Sequence, residues 1–336
     1  MMDVRRLRLL LELTRRGTVT AVAGELGYTP SAVSQQLAAL EREAGVPLLT
    51  HAGRKVSLTP AGTVLAGYAQ SVLATLEEAS AALAATRAGL TGTLRIGAFP
   101  SAARTIVPSV LVTLGRDHPD LELMLTELDP AAVPDALRSG ALDVAVTASY
   151  DYVPGEPDPA IEAEPLLDET VYLAVPAEGA EGAEGAEGAE GAGRRAGLPE
   201  AGDGDAGDDS IAGCRDSPWI AGTPGTACHD MLVRACQASG FTPRIRHYAD
   251  DFGTVLALVA AGQDVSLVPE LGVTHPPAGV TLIPLSARRR SRIACRKGTR
   301  SHPAIAAFTA ALRENTPHPG DPGSPRPRPE SAPLNP

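Results

Sequence analysis

Between residues 59 and 86, the stretch TPAGTVLAGYAQSVLATLEEASAALAAT places Ala61, Leu65, Tyr68, Val72, Leu76, Ala79 and Leu83 at intervals of 4, 3, 4, 4, 3 and 4. That spacing draws a single apolar seam along one helix of about 28 residues, roughly 42 Å at 1.5 Å per residue. Thr59 is placed to cap it, and Pro60 stands at the first helical position, where a missing N–H costs nothing. A rod of this length with one seam either pairs with a copy of itself or packs along another part of the same chain. Leu65, Tyr68, Val72, Leu76 and Leu83 are the residues through which it would dimerise. The rod also separates residues 1–59 from the larger remainder of the chain.

The two sides differ in charge. Residues 1–62 carry a net charge of +3, and the remainder carries −14. Such asymmetry suits a nucleic-acid module joined to something else. Within the basic part, Leu7, Leu10, Leu11 and Thr14 share one face of a helix spanning 4–16, which Gly17 ends. Thr18 or Thr20 caps a second short helix with Ala21, Val22 and Leu26 on its apolar side. A turn at Gly27 leads to Thr29 as N-cap and Pro30 as the first residue of a third helix. Two short helices joined by a glycine turn make a helix-turn-helix.

At about 100° per residue, Val33, Leu37, Leu40 and Ala44 fall within about 60° of one another and form a core stripe. Ser31, Ser34, Gln35 and Ala38 fall on the opposite face. Serines can bond phosphates or base edges, Ala38 is slim, and Gln35 can pair bidentately with adenine. Gln36 sits beside the core stripe and is the weaker base reader. The next segment, THAGRKVSLT, reads as a short basic hairpin: Gly53 turns it, Arg54 and Lys55 lie near its tip, and Val56 and Leu58 alternate on the return strand. Either arginine or lysine can hold phosphate, and Arg54 can also enter a minor groove.

These residues carry a resemblance. AVAGELGYTPSAVSQQLAALEREAGVPLL, with GRKVSLTPAG after it, is similar to the N-terminal winged helix-turn-helix of LysR-type transcriptional regulators, in register over about forty residues. The resemblance implies double-stranded promoter DNA as a partner. It favours dimerisation for the long helix, which matches the family's linker helix, and leaves a homodimer or a homotetramer open. Thr29, Pro30, Ser31, Ser34, Gln35, Arg54 and Lys55 are the expected DNA-binding residues. Many family members carry arginine in place of Gln35 and a proline one residue after Pro30, so base preference does not carry over.

From Gly92 the pattern becomes strand, helix, strand, helix, strand: TLRIGAF, PSAARTIVPSVLVTLGRDHP, LELMLTEL, AAVPDALRSG, LDVAVTAS. A second such unit comes later in PWIAG, ACHDMLVRACQASG, RIRHYAD, FGTVLALVAAGQ and VSLVPEL. The alternation predicts a multi-domain α/β protein with two lobes, each built on a parallel sheet, and a cleft between them. Ligands in such sheets sit at the carboxyl ends of strands against helix N-termini. Those positions are Pro100, Ser101, Ala102, Thr147, Thr223, Gly225, Thr226, Val268 and Pro269. Any one of the hydroxyls is more simply a helix cap; two capped helices at one cleft favour a small polar or anionic ligand. The segments LRIGAF, LRSGALDVAV and VLALVAAGQDVSLVPEL resemble the periplasmic-binding-protein-like effector domain of the same family, which implies a small-molecule effector and a two-lobed domain over 92–315.

Five tandem Ala-Glu-Gly repeats occupy 177–191, and GRRAGLPEAGDGDAGDDS comes next. The stretch 177–212 is acidic and nearly devoid of apolar residues, so it is expected to be a disordered insertion. The proline-rich tail 316–336 is expected to be disordered too. The long helix is bounded at 60–89.

No motif for catalysis stands out. GxSxG and HExxH are absent, and GTPGTACH lacks the lysine of a phosphate loop. No catalytic residue, cofactor or metal is therefore assigned. The rival reading is a two-lobed solute receptor or an enzyme, but neither needs residues 1–62. No apolar run approaches the roughly 20 residues of a membrane helix, and the leucine-rich start is interrupted by charge, so a cytoplasmic protein is expected. Of the four cysteines, Cys228 and Cys236 invite a redox switch. On one helix they would stand about 12 Å apart, against the roughly 7 Å between Cα atoms that a disulfide allows, so buried thiols are the simpler reading.

Overall fold

A computed structural model describes residues 2–52, 55–86, 89–155, 157–177, 207–273 and 276–316. Three helices open the chain: α1 (Val4–Arg16), α2 (Val19–Leu26) and α3 (Pro30–Ala44). Asp3, Thr18 and Thr29 cap them, each accepting a backbone N–H from the first turn. A two-stranded wing comes next, with β1 (Leu49–Ala52) antiparallel to β2 (Lys55–Leu58). Leu10, Leu13, Val22, Val33, Leu37, Leu40 and Leu48 make the shared core.

The long helix α4 runs from Pro60 to Ala85, 26 residues, or about 39 Å. Its start is seated closely: a Cβ on Gly62 would lie 2.2 Å from the Leu48 carbonyl oxygen. Ala66 and Ala69 continue the contact with the N-terminal core, and Leu65 packs against it as well. The seam is thus shared. Leu65 belongs to the intramolecular face, whereas Tyr68 (70 % exposed), Val72 (41 %), Leu76 (46 %) and Leu83 (69 %) face solvent. Further along, α4 meets the second part of the chain. A Cβ on Gly298 would fall 2.3 Å from the Ala74 carbonyl oxygen, and Arg296 Nε lies 3.3 Å from Glu77 Oε1.

The second part begins with β3 (Gly92–Ala98), α5 (Pro100–Thr105), α6 (Val107–Asp117), β4 (Leu121–Glu127), a 3-10 turn at Pro130–Ala132, α7 (Val133–Ser139) and β5 (Val144–Tyr150). It continues through β6 (Ile161–Pro176), α8 (Gly207–Gly213), β7 (Pro218–Ala221), α9 (Ala227–Ala238), β8 (Arg244–Tyr248), α10 (Phe252–Ala260) and β9 (Ser266–Pro269). It closes with β10 (Val280–Arg296) and α11 (Pro303–Asn315). A six-stranded sheet in the order β4-β3-β5-β10-β6-β9 runs through both lobes, and β7 and β8 form a separate parallel pair.

Several expectations need correction. The main sheet is mixed: β3 is parallel to β4 and β5, but β10 is antiparallel to β5 and β6, and β6 is antiparallel to β9. The single helix expected over 100–119 is two helices. Pro108 has no N–H to give the Arg104 carbonyl, so the chain breaks at Ile106. The insertion expected over 177–212 ends earlier, because α8 starts at Gly207 and Ile211 is fully buried in the second lobe. Residues 178–206 of that stretch, and 317–336 of the tail, lie outside the described residues, while Thr316 is a buried part of the α11 terminus.

Strands β6 and β10 have no counterpart in the sequence reading, yet they join the lobes. Where they cross between them, Arg289 and Glu169 stand opposite each other in register. The pair is bidentate: Arg289 Nε donates to Glu169 Oε2 and Nη2 to Oε1, both at 2.8 Å, and each residue is 1 % exposed. Glu169 also accepts from Ser291 Oγ and from the Leu271 N–H, and Arg289 reaches Ser101 Oγ at 3.1 Å while lying over the Phe99 ring. Removing one member leaves a buried charge without its partner. Glu169→Ala is therefore expected to lower unfolding free energy by about 3–5 kcal/mol, read as a drop in the denaturant midpoint of the full chain.

Candidate functional site

On α3 the division by face holds residue by residue. Val33, Leu37 and Leu40 are buried, and Ser31, Ser34, Gln35 and Ala38 are exposed on the other side. Thr29 accepts from the Ala32 N–H at 3.2 Å and shares a hydrogen bond with Ser31 Oγ, and Pro30 takes the first helical turn. Gln36, the weaker reader, is tied down by Arg6 Nε at 2.8 Å. Gln35 makes no such bond to a described residue. The wing is held to this helix by Glu41, whose carboxylate accepts the Leu48 and Leu49 N–H groups at 2.8 and 3.1 Å. The Ala52↔Lys55 pairing puts Lys55 beside the turn. Arg54 lies outside the described residues.

Between the lobes there is a cavity of about 670 Å³. The first lobe contributes Thr147, Ser149 and Tyr150 of β5, Arg290 and Arg292 of β10, and an apolar wall of Pro130, Val133, Pro134, Val153, Pro154 and Ile161. The second lobe contributes the start of α9 through Gly225, Ala227 and Asp230. This size and mostly apolar lining are those of small-molecule pockets.

Of the expected effector residues, Thr147 and Gly225 line this cavity. The others are engaged elsewhere. Thr223 donates to Asp250, and Thr226 caps α9 by accepting from the His229 N–H. Ser101 is buried against Arg289, Ala102 and Val268 belong to lobe cores, Pro269 pairs with Val171, and Pro100 starts α5. The helix N-terminus expected to receive an anion is already occupied from within the chain. Asp129, from the first lobe, takes the Ala227 N–H with both carboxylate oxygens at 3.3 Å. Burial, against its backbone hydrogen bonds and with Asp250 and Asp230 nearby, holds the Asp129 carboxyl above the ordinary aspartate range. A second bridge, Arg104 to Asp251 at 3.1 Å, also crosses between lobes.

The sequence reading missed Asp129, Arg290 and Arg292. A period-2 pattern was available for the arginines: Ile283, Leu285, Ala287, Arg289, Ser291 and Ile293 point inward, which sends Arg290 and Arg292 to the other face.

Cys228 and Cys236 both lie on the unbroken α9. Burial raises the Cys228 thiol, which shares a 3.3 Å hydrogen bond with Tyr150 Oη, and burial with Cys214 nearby pushes Cys236 up to about 12. Both are protonated thiols at neutral pH. No described helix is long and apolar enough to cross a membrane.

Residues 4–63 match the family described as "Bacterial regulatory helix-turn-helix protein, lysR family", and residues 87–317 match the "LysR substrate binding domain". A probable hydrogen peroxide-inducible genes activator of Streptomyces viridosporus is 32% identical over 300 residues, covering 87% of each chain. A solved OxyR mutant of Corynebacterium glutamicum is similar at 26% identity and a TM-score of 0.51, over 94% of this chain and 92% of that one. A full-length OxyR variant from Pseudomonas aeruginosa shares the fold, with a TM-score of 0.54 at 22% identity over 93% and 95% of the two chains. A helix-turn-helix with an exposed polar recognition face, a rod-like linker helix and a two-lobed domain with a cavity are thus joined in one chain, which belongs to the LysR family of bacterial transcriptional regulators.

Proposed function

We propose that this regulator binds promoter DNA as a homo-oligomer in the cytoplasm, without enzymatic activity, and that a small molecule in the interlobe cavity sets the arrangement of its DNA-binding domains. The observation that carries the reading is the sorting of α3 into a buried aliphatic stripe and an exposed Ser31, Ser34 and Gln35 face, with Gln35 unengaged by any described residue. In this reading α3 enters the major groove, Gln35 contacts a base edge, the serines contact phosphate or base edges, and Arg54 and Lys55 hold the backbone from the wing. Tyr68, Val72, Leu76 and Leu83 of α4 pair with their copies in a second chain, which presents two recognition helices to a near-palindromic site. The cavity carries the effector, and the Asp129–Ala227 contact is a latch that the effector must work with or displace.

The peroxide response in the relatives' names does not transfer on this reading. A peroxide-reactive thiol is a low-pKa, accessible thiolate, whereas Cys228 and Cys236 are raised by burial and stand about 12 Å apart on one intact helix.

Three outcomes are expected. Gln35→Ala relaxes base preference at one position of each half-site in a binding-site selection, at a cost of about 1–3 kcal/mol on the preferred site, while Lys55→Ala weakens all sequences alike and lowers the salt slope by about 1. An unchanged selected motif for Gln35→Ala would mean that another face of α3 lies in the groove. Hydrogen peroxide produces no Cys228–Cys236 disulfide in non-reducing peptide mapping, and DNA affinity stays as it was. For Asp129, a folded-state pKa raised above the unfolded value means that the ionised carboxylate costs stability, and that this cost is relieved as pH falls through the raised value. Asp129→Asn, which retains an acceptor, is expected to unfold at a higher temperature than the parent near neutral pH. The difference narrows as the pH is lowered into the carboxylate range, as thermal scans from pH 7 to pH 4 would show.

A further inference from the structure

Resting on the reading of the interlobe cavity as the effector site, we propose that it takes an organic monoanion, a carboxylate with an apolar body, and that Arg292 holds the charged group. The assignment rests on the charges that line the cavity. Asp151 is paired with Arg290. Asp158 is paired with Arg138 and lies 3.3 Å from Arg15. Asp230 sits in the first turn of α9, where the helix N-terminus offsets its charge. Arg292 differs from all of these: it is exposed, lines the cavity, and its side chain makes no hydrogen bond or ion pair with any described residue.

Its neighbours fit the same chemistry. Arg292 stands opposite Thr147 in the β5–β10 register, and Arg290 stands opposite Ser149. Cross-strand partners share a face, so two hydroxyls flank the Arg292 guanidinium, and neither bonds a described residue. The other obvious anion holder, the N-terminus of α9, is closed by the Asp129 carboxylate. A guanidinium with flanking hydroxyls matches a carboxylate in bidentate geometry. The cavity, at about 670 Å³, is far larger than an inorganic anion, and its Val133, Pro134, Val153, Pro154 and Ile161 wall offers nothing polar from its side chains. The bulk of the ligand is therefore apolar and its charge is at one end.

The test is calorimetric titration of the full chain with straight-chain carboxylates from acetate to decanoate, with the matching amides, and with norleucine as the amino-acid counterpart of hexanoate. Hexanoate is expected to bind at least about tenfold more tightly than hexanamide, as a charge-assisted contact requires. Affinity within the acid series is expected to rise about three- to fourfold per methylene until the cavity is filled. Arg292→Gln brings hexanoate down to the affinity of hexanamide, Arg292→Lys recovers part of the difference, and the exposed Arg116→Gln, paired only with Asp117 among the described residues, leaves hexanoate binding as in the parent. Circular dichroism melting of each variant separates misfolding from loss of the anchor. Three results would overturn the proposal. Equal binding of acids and amides, or an unchanged preference in Arg292→Gln, removes the arginine anchor but leaves the cavity as the effector site. Tighter binding of norleucine than of hexanoate brings Asp230 into the site and makes the ligand a zwitterion. No dependence on chain length in either series takes the cavity reading down with it.

Discussion

The bidentate contact between Arg289 and Glu169 is placed where the two lobes of the effector domain share the through-going strands β6 and β10. A buried guanidinium is tolerable only beside a fixed countercharge with its remaining bonding capacity satisfied. Burial by itself would lower the proton affinity of Arg289, yet Glu169, with Tyr150 and Cys228 close by, keeps it above its ordinary value. Its partners come from distant stretches of the chain: Ser101 and Phe99 at the start of α5 and, through Glu169, Leu271 after β9. The ion pair thereby fixes which face of β10 looks inward. Because strand side chains alternate, it fixes at the same time that Arg290 and Arg292 look outward into the cavity. One structural salt bridge sets which side chains face the cavity.

The DNA-binding end is organised by a comparable placement of one carboxylate. Glu41 sits one residue after the buried Leu40 and engages the first backbone amides of the wing. The helix that presents Gln35 and the hairpin that carries Lys55 are therefore one rigid piece. Arg6 restrains Gln36 in the same body. The acidic character of the chain as a whole does not reach this surface, since the N-terminal residues 1–62 are net basic.

Local signals made the N-terminal half legible. Caps at Thr18, Thr29 and Thr59, prolines at first helical positions and the 3.6-residue spacing of Val33, Leu37 and Leu40 are all short-range, and the helices fall where those signals put them. Long-range features were the ones that escaped. Strand β6 carries Pro165 and several carboxylates, and β10 carries Pro284 and a run of arginines. Both also carry the alternating aliphatics of a strand, Val171, Leu173 and Val175 in β6 and Ile283, Leu285 and Ala287 in β10, but proline and charge interrupt them. The effector residues show the same division. Gly225 lies just before α9, whereas Thr147 stands in the middle of β5 rather than at its end, and both line the cavity. The contact of Asp129 depends on packing across lobes, which a single sequence does not display, whereas the face taken by Arg292 follows from the alternation along β10 once that strand is recognised.

Strands β6 and β10 are paired along most of their length, with irregularities only between Pro284 and Arg288 and between Ser291 and Arg292. Such a bulge bends its strand and increases the local twist. The second of these irregularities adjoins Arg292, one of the residues that line the cavity. Gly298, two residues beyond the end of β10, lies directly against the linker helix at Ala74. The strand that faces the cavity at Arg292 is thus also the strand that leads to the linker helix.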